Sequence, residues 1–142
     1  MEDYHGNNCA YCVEGDLVAK FGIKICELET SKVYLFKEQS HPGRCIVAHK
    51  KHVGDMNELT AEERAAYFED VAKDARAIMA AFHPDKVNYG AYGDTGHHLH
   101  FHLCPKYKDE FEWGGVFLMN PDKKYLSDAE YAEMIEKIKS HL

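Results

Sequence analysis

His98-Leu99-His100-Phe101-His102-Leu103-Cys104 alternates imidazole with apolar side chains. Successive side chains of an extended strand leave opposite faces, so this spacing predicts His98, His100 and His102 on one face and Leu99, Phe101 and Leu103 on the other. One face carries chemistry and the other belongs to a core. Three imidazoles at strict alternation, in a chain that also crowds His41, His49 and His52 upstream, point to metal or acid–base chemistry rather than to an idle polar surface.

Working outward, runs of branched and aromatic residues bounded by Pro, Gly, Ser or Asp predict further strands at Ile23 to Leu28, Lys32 to Phe36, Cys45 to Ala48 and Val87 to Tyr92. Thr60-Ala-Glu-Glu63 is a capping box, and Ala65, Phe68, Val71, Ala72, Ala75, Ile78, Met79 and Phe82 then recur at helical spacing until His83-Pro84 stops the helix. A second helix is signalled by Ser127-Asp-Ala-Glu130, with Tyr131, Met134, Ile135 and Ile138 on one face. Strands, helix, strands, helix in that order predict an α+β domain with an antiparallel sheet and two main helices. No repeat or low-complexity tract divides the 142 residues, so residues 1–142 are read as one domain, with a core at about 9–105 and a C-terminal extension whose helix spans about 127–141.

Seventeen basic against twenty-four acidic residues give a net charge of −7, which excludes a broad nucleic-acid-binding surface but leaves room for a small anion in a local pocket. No apolar run approaches the ~20 residues of a membrane span, and Met1 to Gly6 is polar, so a cytoplasmic protein is expected. The five cysteines form an odd set unlike a secreted disulfide framework. Cys9-x-x-Cys12 offers two soft ligands at a spacing that can bite one tetrahedral ion; the alternatives for such a pair are two reduced thiols or a redox couple.

At the alternating histidines the chain resembles the histidine triad (HIT) superfamily, whose motif is His, apolar, His, apolar, His, apolar, apolar. The resemblance extends upstream through Pro42-Gly-Arg-Cys-Ile-Val-Ala-His-Lys-Lys-His52, which is similar to the family's Gly-His-x-Leu-Val-x-Pro-Lys-x-His segment, and covers roughly Cys9 to Pro105. It implies a HIT-like fold, a homodimer, and a nucleotide small-molecule substrate attacked at its α-phosphorus by the middle imidazole, here His100. A neutral imidazole is a competent nucleophile near pH 7, and two displacements in sequence suit a poor leaving group. His102 would hydrogen-bond a phosphate oxygen or help the leaving group depart.

The resemblance also implies that Asn88 and Thr95, in the loop Gly93-Asp-Thr-Gly96, contact phosphate, although Gly-Asp-Thr-Gly is equally a good hairpin turn. Where the family often carries a fourth histidine this chain has Arg44, a permanent cation suited to holding phosphate but unable to shuttle a proton. Glu38 is the candidate for the ribose. Some bacterial members join an N-terminal Cys-x-x-Cys to two histidines, which by position are His52 and His98, and four protein ligands of this kind make a structural Zn2+ site with no open position for water. Two other readings remain open at this point: a nucleotide-binding regulatory module with little turnover, and a metalloenzyme whose histidines and thiols hold a catalytic metal.

Overall fold

Branched residues at alternating positions set five strands in the computed structural model, which describes residues 8–142. They are β1 (Gly22–Glu27), β2 (Ser31–Phe36), β3 (Cys45–His49), β4 (Lys86–Gly90) and β5 (His100–Lys106), in the spatial order β1-β2-β3-β5-β4 with every pairing antiparallel. Two short helices, α1 (Ala10–Val13) and α2 (Asp16–Ala19), precede the sheet. The long α3 (Ala61–Phe82) crosses between β3 and β4, and α4 (Asp128–Lys139) closes the described chain. Both capping boxes form: Thr60 Oγ1 accepts from Glu63 N at 3.1 Å, and Ser127 Oγ from Glu130 N at 3.2 Å. His83 ends α3 in the left-handed conformation, φ 53°, directly before Pro84.

The two faces of the sheet have different fates. Val33, Leu35, Cys45, Val47, Leu99 and Leu103 pack beneath α3 and α4 in the main core, where Tyr67 of α3 donates to the Val47 carbonyl at 2.7 Å. On the other face Tyr34, Phe36, Ile46 and Ala48 cluster with Tyr11 and Val18 of the short helices, and Cys9, Ala10 and Phe21 pack against them. Ile46 pairs with His102 and Ala48 with His100, so both imidazoles lie on this thinly covered face, as their alternation with Phe101 and Leu103 requires. His98 itself sits in a bend before β5 rather than within it: its N–H goes to the Gly96 carbonyl at 2.7 Å, and the Leu99 N–H goes to Val53 O at 2.7 Å. The strand therefore starts two residues later than the alternation predicts and runs on through Pro105.

A segment without regular structure, residues 107–126, straps across the open face. Lys106, 2% exposed, donates from Nζ to the carbonyls of Glu112 and Gly115 at 2.7 Å each. His41 Nε2 donates to Glu112 Oε1 at 2.6 Å, and Glu38 Oε2 accepts from Lys123 N and Lys124 N at 2.8 and 2.9 Å.

Asp74, on the buried side of α3, is fully buried with neither carboxylate oxygen hydrogen-bonded. Burial drives its pKa from 3.8 to about 7, against a smaller opposing pull from the Cys45 thiol. The folded chain thus keeps a proton that the unfolded chain releases near pH 4, and this contribution to stability is full below that pH and lost as pH rises through about 7. Asp74→Asn is expected to gain about 2–4 kcal/mol on the parent between pH 4 and pH 8 in urea titrations. A stability difference that stays constant across that range would contradict a neutral Asp74.

Candidate active site

Besides its backbone N–H, three hydrogen-bonding groups of His98 bear on the site. Its Nε2 donates to the His49 carbonyl at 2.6 Å, which leaves the Nδ1 lone pair facing Cys9 Sγ at 3.3 Å, Cys12 Sγ at 3.5 Å and His52 Nδ1 at 3.1 Å. Cys12 Sγ lies 3.2 Å from His52 Nδ1, and the four ligand atoms all fall within 4.8 Å of one another. A tetrahedral divalent ion with bonds of ~2.0 Å to nitrogen and ~2.3 Å to sulfur has N···N edges near ~3.3 Å and N···S edges near ~3.5 Å, so these side chains fit such an ion as they stand. Burial holds the His98 imidazole down at about 4, and it is neutral as a ligand must be. The four residues Cys9, Cys12, His52 and His98 form a cluster that can hold a metal, with a carbonyl orienting one imidazole from behind.

The third group of His98 is its own carbonyl, which accepts from His100 Nδ1 at 2.6 Å. A carbonyl can only accept, so His100 carries its proton on Nδ1 and its Nε2 holds a lone pair. Burial lowers the pKa of His100, with the His98 carbonyl opposing that shift in part, and the ring is neutral around pH 7. His102 has the opposite tautomer. Arg44 Nη2 donates to His102 Nδ1 at 3.1 Å, and because a guanidinium can only donate, the proton of His102 is on Nε2. Burial, then the Arg44 cation, then His100 hold His102 at about 2. The two rings are 5.4 Å apart, and Tyr11 lies against His100 at 5.0 Å and against His98 at 5.3 Å.

Both imidazoles line a cleft of about 680 Å³, within the ~300–1,000 Å³ typical of small-molecule sites. Its floor is Phe36, Ile46 and the histidines, one wall is the loop from Tyr92 to Gly96 with Thr95, and the other is Val116–Asn120 of the strap. Among the described residues no Lys or Arg lines it.

The remaining residues singled out from sequence fall elsewhere. Arg44 is fully buried behind His102 and does not line the cleft, because its guanidinium is taken up by Leu118 O, Met119 O and His102. Asn88 pairs with Cys104 on β4, one strand pair beyond His102, and is likewise outside the lining. Glu38 is buried with its oxygens on the Ser40 N–H and hydroxyl and the N–H groups of Lys123 and Lys124, so it holds the strap and does not reach the cleft. Tyr11 and the strap wall were not foreseen. The only sequence signals for them are an aromatic inside the Cys-x-x-Cys and the apolar run Val116-Phe-Leu-Met119 between Gly115 and Asn120-Pro121.

Residues 22–109 match the HIT domain family. The chain is 30% identical over 122 residues to the protein Hit of Bacillus subtilis strain 168, which covers 81% of this chain and 82% of that one. Over 116 residues it is 28% identical to the adenosine 5'-monophosphoramidase hnt1 of Schizosaccharomyces pombe, covering 75% and 80%. Among solved structures, a histidine triad protein from Sinorhizobium meliloti superposes with a TM-score of 0.82 at 20% identity, over 90% of this chain and 95% of that chain. A Zn-bound histidine triad family protein from Mycobacterium smegmatis does so with a TM-score of 0.69 at 21% identity, over 96% and 94%. At such identities the superpositions bear on the fold alone.

Proposed function

The chain belongs to the HIT family, and on that footing we propose that it is a nucleotidyl hydrolase or transferase whose nucleophile is His100 Nε2. The observation that carries this reading is the pair of opposed tautomers: a lone pair on His100 Nε2 and an N–H on His102 Nε2, on rings that share one cleft. In the first step the lone pair attacks the α-phosphorus, the bond from phosphorus to the leaving group breaks, and the departing amine or oxyanion takes its proton from solvent. The imidazole then carries positive charge, and its Nδ1–H already points at the His98 carbonyl. In the second step water attacks phosphorus, the P–N bond returns its electrons to Nε2, and the water proton goes to solvent. His102 donates from Nε2 to a phosphoryl oxygen throughout; a neutral imidazole N–H is too weak an acid to supply the leaving group's proton.

A cleft without lysine or arginine suits a conjugate with a single phosphoryl charge, such as a nucleoside phosphoramidate, better than a polyphosphate chain. That agrees with the monophosphoramidase among the relatives. His100→Ala is expected to reduce release of monophosphate from phosphoramidates by several powers of ten, and the parent, quenched under alkaline denaturing conditions because the P–N bond is acid-labile, should carry nucleotide on His100. Near-normal turnover in His100→Ala would refute the mechanism, and binding of monophosphate with no turnover in the parent would favour a regulatory binding module instead.

We infer further that the cluster of Cys9, Cys12, His52 and His98 holds a structural Zn2+, as the soft donor set and the bond-length fit support. Four protein ligands leave no position for substrate, so the ion ties α1 to the loop before β5. Metal analysis should find one zinc per chain in the parent and none in Cys12→Ser, together with a lower melting temperature; a parent without zinc, purified free of chelators, would contradict this.

We infer a homodimer from the β4 edge of the sheet. Among the described residues β4 has no outer strand neighbour, and Tyr89 and Phe68, 51% and 40% exposed, line with Phe101 an apolar hollow of about 290 Å³ beside it. A second copy is the occupant proposed. Sedimentation should give a dimer for the parent and a monomer for Tyr89→Lys, and a monomeric parent would end this assignment.

A further inference from the structure

Among the described residues Arg44 is the largest fully buried side chain, yet it has no ion pair with any carboxylate there. A buried cation without a counter-ion is costly, and such a group persists where several neutral acceptors converge on it. Here Nη1 donates to Leu118 O at 3.1 Å, and Nη2 to Met119 O at 2.9 Å and His102 Nδ1 at 3.1 Å. The rings of Phe36 and Phe117 sandwich the guanidinium, with centroids 4.1 and 4.9 Å away. Gly43, at φ 96°, turns the chain into β3 directly before it, where a Cβ would strike the Phe82 ring at 2.6 Å.

These contacts tie together two parts of the cleft that otherwise meet through the rings of His102 and Phe117, 6.4 Å apart. Leu118 and Met119 belong to the strap wall, His102 belongs to the floor, and the guanidinium bonds to both from behind. We propose that Arg44 is a positioning residue: it fixes His102 as the Nε2–H donor and pins the Val116–Asn120 wall against it, without touching the nucleotide. This rests on the hydrolase reading above for its kinetic consequence, but its structural content does not. A histidine at position 44 could offer at most two N–H groups and could not span all three acceptors, so the choice of arginine suits a strap that must be held together with the imidazole.

The test compares the parent, Arg44→Met and Arg44→Lys by nitrogen-15 NMR of the imidazoles, amide hydrogen exchange, monophosphate affinity and turnover. In Arg44→Met the Nδ1 of His102 loses its donor. The expected results are a mixed His102 tautomer, faster exchange at residues 116–120, kcat lower by about tenfold or more, and a monophosphate Kd within about threefold of the parent. Arg44→Lys keeps a cationic donor on a shorter reach and should restore part of the tautomer preference and of kcat, which a merely space-filling role would not do. An unchanged His102 tautomer in folded Arg44→Met would overturn the proposal. So would a roughly tenfold loss of affinity with kcat preserved, because that would put the guanidinium on the phosphate. Should the parent show no turnover, the hydrolase reading fails while the tautomer and exchange measurements still decide the role of Arg44.

Discussion

The arrangement depends on how the backbone and ring of His98 are held. Its Nε2–H on the His49 carbonyl fixes the ring, the ring's Nδ1 completes the Cys9, Cys12 and His52 cluster, and its carbonyl orients His100. Because these are three groups of one residue, a shift of the loop before β5 would move the metal cluster and the nucleophile together. That loop is itself tied down by the Leu99 N–H on Val53 O and the His49 N–H on Leu99 O. A metal held there would act mechanically on the cleft through that loop.

The sheet separates stability from reactivity by face. Leu99, Phe101 and Leu103 face α3, where the main core is made. Among the described residues His100 and His102 face α1, α2, the Tyr92–Gly96 loop and the strap, a cover thin enough to leave a cleft. Neutral imidazoles tolerate this partly apolar setting, and burial keeps them neutral. The Arg44 cation is kept behind His102 by main-chain carbonyls, so an acidic protein whose cleft has no cationic lining among the described residues still directs the His102 Nε2–H into the site.

Much of this was legible in the sequence, and the exceptions have physical causes. β2 and β3 lie within one residue of their predicted spans because their branched residues are buried on both faces of central strands. β5 shifts by two residues because the local contacts of His98 and Leu99 replace ladder pairing at its start. Its end passes Pro105 because β3 stops pairing at Leu103, so the missing N–H falls where the strand has only one neighbour. The Cys-x-x-Cys and the two histidines could be brought together only by analogy, since sequence spacing says nothing of the 40 and 86 residues that separate Cys12 from its partners. Glu38, Asn88 and Arg44 were read as ligand contacts because their types suit phosphate or ribose. Glu38 and Arg44 bond to the strap, an irregular segment with no periodicity by which its packing could be foreseen, and Asn88 sits on β4 outside the cleft lining.

The central claim is that His100 offers its Nε2 as a lone pair because His98 takes the Nδ1 proton. Long-range nitrogen-15 correlation spectra of the selectively labelled, metal-loaded protein near pH 7 report this directly. The account predicts a neutral His100 ring protonated on Nδ1, with the shift of a bare nitrogen at Nε2. A His100 ring protonated on Nε2, or doubly protonated at that pH, would contradict it.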